Sequence, residues 1–123
     1  MSVMHAYKQL LKHRGIRLCE AFGVDDTALG DIALEQIDAL VAVEILRNAS
    51  VPILGGDVYF KWHDNRIELA YANWDSVPLP GEERQHFARR SCLETENYIK
   101  GFPLSEAIPL FVLVIDEDCL NAA

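Results

Sequence analysis

The run 53-ILGGDVYFKW-62 poses the central problem of this sequence: it has the composition of a β-strand, yet two adjacent glycines and an aspartate interrupt it. Val58, Phe60 and Trp62 alternate with Tyr59 and Lys61, the period-two pattern of a strand with one buried face. The tetrapeptide 63-HDNR-66 supplies a turn, and Ile67, Leu69 and Tyr71 resume the alternation, so the spacing predicts an antiparallel hairpin. A glycine pair beside an acid also raises the question of a phosphate loop. Such a loop needs a helix behind the glycines, whose free N–H groups and dipole face the anion. Here a strand follows, and Asp57 would repel an anion. Gly55 and Gly56 are therefore read as a bulge or bend where the chain enters the hairpin, because glycine accepts positive φ. Asp57 is expected to cap that bend through its own side chain.

Helices are expected on both sides of the hairpin. Val3, Met4, Tyr7, Leu10 and Leu11 recur at helical spacing over residues 3–14. Lys12, His13 and Arg14 suit the C-terminal end of that helix dipole, and Gly15 follows as a stop. Residues 36–48, QIDALVAVEILRN, form a second helix, and between positions 37 and 46 only Asp38 and Glu44 are polar, which predicts extensive burial. The segment 49-ASVP-52 ends it, since the residue before a proline avoids the α region. A third helix covers about residues 82–100, with Phe87, Ala88, Ser91, Cys92, Thr95, Tyr98 and Ile99 on one side and Gly101 and Pro103 beyond its end.

The linker 75-DSVPLPG-81 leaves the sheet, and the stretch 16–34 mixes short apolar pieces with turn residues without a firm assignment. The continuous apolar run 111-FVLVI-115 fits a strand covered on both faces or at the sheet centre. Helices, hairpin, helix, strand is the order of an α+β fold: a small, mainly antiparallel β-sheet (hairpin plus C-terminal strand) packed against about three helices. At 123 residues this is read as a single domain spanning residues 1–123.

Charge narrows the function classes. The net charge is -8, and residues 15–60 hold eight acids against Arg17 and Arg47. A second acidic cluster, Asp116-Glu117-Asp118, lies near the C-terminus. A binder of nucleic acid or of an anionic membrane carries the opposite sign, because it must neutralise phosphates, so neither partner is expected. A basic protein partner suits this charge. Cys19, Cys92 and Cys119 are odd in number and widely spaced, which points to reduced thiols rather than a disulfide framework. The N-terminal MSVMHAYKQLLKHRG lacks the apolar core of a signal peptide, and 107-AIPLFVLVI-115 is too short to span a bilayer, so a cytoplasmic location is expected.

No constellation for catalysis stands out. His5, His13, His63 and His86 are scattered without metal-ligand spacing, and 116-DED-118 lacks the glycine and spaced ligands of a calcium loop. Cys92 and Ser91 lie on the apolar side of the third helix, where burial is the better reading than nucleophilic chemistry. No metal, cofactor or catalytic residue is therefore assigned, and the chain is not expected to be an enzyme. In 71-YANWD-75, Trp74 stands at a strand end between polar neighbours, a position suited either to a core lid or to an interface anchor.

A buried helix followed by 52-PILGGDVYF-60, a hairpin ending in 71-YANWD-75, a later helix with 89-RRSC-92 and 97-NYI-99, and a terminal 111-FVLVI-115 come in a recognisable order. Together, over about residues 30–115, they resemble the Immunity protein 40 family of bacterial polymorphic toxin systems. The ILGGDVY string is the most specific part; the family's YDNWY-like segment here carries Ala72 and Asp75. The resemblance implies a cytosolic antidote that binds a cognate toxin domain, commonly from a contact-dependent or secreted system, and blocks its activity. Acidic side chains would then steer onto a basic toxin surface such as a nuclease groove, and aromatics would supply the desolvated contacts. The partner-binding residues expected on this basis are Asp57, Tyr59, Tyr71, Asn73, Trp74 and Asp75. Two other readings stay open: a non-catalytic acidic adaptor, and a small hydrolase with a cleft lined by two carboxylates of perturbed pKa.

Overall fold

The computed structural model describes residues 3–18 and 31–116, the side chains of residues 3 and 4 excepted. Within them lie α1 (Val3–Arg14), β1 (Ile16–Arg17), β2 (Ile32–Glu35), α2 (Gln36–Asn48), β3 (Ile53–Lys61), β4 (Ile67–Asp75), α3 (Arg84–Lys100) and β5 (Ile108–Ile115). The described strands form one antiparallel sheet in the order β1-β2-β5-β3-β4. The fold is α+β, with three helices among the described residues packed against the sheet.

The run 111-FVLVI-115 lies in the central strand of five, which is why its residues need no polar alternation. The stretch 16–34, unassigned from sequence, contributes the two short strands β1 and β2 at the other side of the sheet. Cys19, Cys119 and the acids Glu117 and Asp118 lie outside the described residues.

The main core sits between the helices and one sheet face. Leu34, Ile53, Val58 and Phe111 of the strands meet Ala39, Ala42, Val43 and Leu46 of α2, Cys92 and Ile99 of α3, and Tyr7 of α1. The second helix buries one face as its composition predicts, but Ile37 and Val41 point to solvent. It ends in a left-handed turn. Ser50 adopts φ 56, the Val51 N–H donates to the Leu46 carbonyl at 3.0 Å, and the Ser50 N–H donates to the Arg47 carbonyl at 3.1 Å. These bonds satisfy carbonyls that the last helical turn leaves without partners.

The glycine pair lies inside a long strand rather than at its mouth. Ile53 pairs with Ile115 and Gly55 with Val114, so Leu54 is the extra residue of a bulge toward β5. Gly55 has φ 152 and backs onto the Trp74 carbonyl, so a side chain would meet both strain and backbone. Gly56 faces Trp74 across the β3–β4 ladder, and a Cβ there would occupy the space of the Trp74 ring and of the Val112 carbonyl. The indole takes the room that the glycine leaves. A second irregularity falls on β4. Val58 pairs with Ala72 and Tyr59 with Leu69, which leaves Ala70 and Tyr71 as extra residues, with Tyr71 at φ 56. The turn 63–66 closes with Asn65 at φ 68 and its N–H bonded to the Trp62 carbonyl at 2.8 Å, a conformation that asparagine tolerates better than most residues.

The third helix begins at Arg84, two residues later than its composition predicts, because Glu82 is used otherwise. Its carboxylate accepts hydrogen bonds from Arg90 and from the Leu79 N–H, while Arg90 also donates to the Val77 carbonyl at 2.7 Å. Arg90 thus ties the linker between β4 and α3 to the helix.

A candidate partner-binding surface

Alternation along β3 and β4 sorts the six residues expected to bind a partner. Val58, Ala72 and Trp74 point toward the helices. Asp57 and Tyr59 therefore point to the other face of the sheet, and Asn73, paired with Asp57, does the same. Asp75 follows at the same parity. That second face carries a smaller apolar cluster of Leu18, Ala33, Leu110 and Val112, against which Tyr59 packs. Burial raises the pKa of the Tyr59 phenol, and the nearby charges of Asp57 and Asp31 raise it further. A phenol whose pKa is raised stays neutral, a hydrogen-bonding group and not an anion, at neutral pH.

Tyr71 stands apart from this row. As a bulge residue on the edge strand it is 88% exposed, whereas the other Tyr, Trp and Phe side chains among the described residues are buried or half-buried. Trp74 has the opposite fate. Its ring stacks on Tyr98 at 4.7 Å, meets Phe111 edge-on at 6.4 Å, and its Nε1–H donates to the buried Thr95 hydroxyl at 2.9 Å. Of the two positions open to Trp74 in the sequence, its ring occupies the core-lid one. The structure thus gathers Asp57, Tyr59, Asn73 and Asp75 on one face, sets Tyr71 at the adjoining edge, and places Trp74 behind them.

Three titratable groups elsewhere, Cys92, Glu82 and Glu96, are engaged in holding the fold. Cys92 is fully buried, and burial pushes its thiol up to about 11, so it is no nucleophile at neutral pH. The carboxylates of Glu82 and Glu96 are held below the usual range. Hydrogen bonds from Arg90 lead for Glu82, and those from Lys100 and then Arg47 for Glu96. A depressed pKa keeps a carboxylate charged and paired; it does not poise an acid for proton transfer. Among the described residues no three His, Cys, Asp or Glu side chains gather as a metal site, and no helix is long and apolar enough to cross a membrane.

One of the concavities that the sequence did not announce gathers exposed aliphatic side chains. A groove of about 400 Å³ opens where the start of α2 meets the loop before β5, and Glu35, Ile37, Asp38, Leu104, Glu106 and Ile108 are among its lining residues. Leu104 is 92% exposed and Ile37 77%, the highest values for large aliphatic side chains among the described residues. The signal for Leu104 was present as a lone leucine in the polar loop 103-PLSE-106, whereas Ile37 looked like one more apolar residue of a buried helix.

The family model described as Immunity protein 40 matches residues 19–115 of the chain. No curated protein sequence and no solved structure matches it.

Proposed function

The chain belongs to the Immunity protein 40 family, and from that premise we propose that it binds and neutralises the toxin domain of a bacterial polymorphic toxin system in the cell that makes it. The family match, spanning most of the chain, is the observation that carries this reading. The chain acts as one non-catalytic cytoplasmic domain, without metal or cofactor, and its partner is a protein rather than nucleic acid or membrane. With a net charge of -8, its acids speed encounter with a basic toxin surface, such as the groove of a nuclease. Asp57, Tyr59, Asn73 and Asp75 form the polar contact face, and Tyr71 is the exposed aromatic at its edge. Trp74 serves that face from behind by holding β4 in place.

Co-expression with the toxin gene expected beside its own tests this function: growth of the host is expected to be restored, and continued killing overturns the reading. Substitution of Tyr71 by Ala and of Asp57 and Asp75 by Lys is expected to weaken the complex in a pull-down while leaving the melting temperature near that of the parent. Unchanged capture by the triple variant removes this face from the interface.

A further inference from the structure

The aromatic side chains expected to anchor a partner are largely committed elsewhere: Trp74 lies in the core and Tyr59 packs on the second cluster. Tight protein interfaces concentrate their energy in a few apolar groups that lose water completely, ringed by polar groups. The groove between α2 and the loop before β5 has that composition. Ile37, Leu104 and Ile108 are 77%, 92% and 44% exposed, so three large aliphatic side chains remain in water around one concavity. Scattered exposed aliphatics are ordinary, but several sharing one groove are not.

The rim is acidic. Glu35, Asp38 and Glu106 line the groove, and Arg14 answers only Asp38, at 3.2 Å. Glu35 and Glu106 form no ion pair among the described residues, and three acids against Arg14 leave the groove negative. It also adjoins the face described above: Glu35 pairs with Leu110, and Ile108 with Lys61 of β3, which puts both at the end of that face.

We propose that this groove is the anchor site for a partner segment carrying an aliphatic side chain flanked by lysine or arginine. The apolar side chain seats between Ile37, Leu104 and Ile108, and the flanking cations meet Glu35 and Glu106. That the segment belongs to the toxin rests on the immunity reading; the groove's chemistry does not.

The probe is a short synthetic peptide of alternating lysine and leucine, measured by fluorescence anisotropy against the full chain. Leu104→Ser and the pair Glu35→Lys with Glu106→Lys change exposed side chains only. Each is expected to weaken binding about tenfold or more, the effect of losing one strong anchor. Glu83→Lys, an exposed acid outside the groove, is the control for charge reversal elsewhere on the surface and is expected to bind as the parent does. A peptide with serine in place of leucine is expected to bind weakly. No binding by the parent chain, or equal binding by the groove variants, overturns the proposal. The two readings fail separately. A chain that binds the peptide through the groove but does not protect against the toxin loses its immunity function and keeps the site. A chain that protects, but whose groove variants bind the peptide as the parent does, keeps its function and loses the site.

Discussion

Gly56 and Trp74 are one structural decision made at two positions. The indole lies where a Cβ at residue 56 would go, and it can lie there because Tyr98 stacks on it and Thr95 accepts its N–H. Gly56→Ala is expected to destabilise the protein by about 1–3 kcal/mol, the usual cost of an extra methyl in a packed core. A urea midpoint equal to the parent's would show that the ring moves aside freely. Ser50 predicts the opposite sign. It closes α2 in the left-handed region, which costs an L-residue about 1–2 kcal/mol and glycine little. Ser50→Gly is therefore expected to stabilise by about 1 kcal/mol, somewhat offset by the greater freedom of glycine in the unfolded chain. Thermal unfolding checks it, and a lower melting temperature contradicts it.

Among the elements, α3 carries the charge network. Glu82, whose side chain is only 4% exposed, is bonded by Arg90 and by His86, and Glu96 by Arg47 and Lys100. Both carboxyls have folded pKa values below the ordinary 4.5. The unfolded chain therefore binds more protons as pH falls, so the stability these groups contribute is fully present above about 4.5 and is lost as pH drops through the lowered folded values. The protein is expected to lose stability steadily below about pH 5. Glu82→Gln should be less stable than the parent at neutral pH and should show a shallower acid decline. Parallel curves of urea midpoint against pH for parent and variant would mean that the Arg90 link does not contribute. The same link explains why α3 starts at Arg84: Glu82 has its strongest partners eight residues on, in a helix it does not join.

For the whole molecule, the acidic balance makes a kinetic prediction. If the charge of -8 steers a basic toxin, the association rate falls steeply with added salt while the dissociation rate changes less. Stopped-flow mixing at low and high ionic strength reads this directly, and a salt-independent association rate rules out steering. Much of the architecture was legible beforehand, because helix and strand periodicities are local. α1 and α2 fall on the predicted residues, the hairpin turns at 63–66, and the 111–115 run lies in the central strand. β1 and β2 escaped because strands of two and four residues are too short to show a period. The bulge at Ala70 and Tyr71 escaped because register is set by the pairing of two strands, not by either one alone. Of the six side chains expected at a partner surface, alternation alone could place Asp57 and Tyr59 on one face. By itself, then, the sequence determined the elements, the family string ILGGDVY and the sign of the charge, since each depends on residues near one another along the chain. Only the tertiary structure decided that Trp74 fills the space left by Gly56, and that Ile37 and Leu104, 67 positions apart by number, share one groove. Both depend on which surfaces remain uncovered once distant segments have packed.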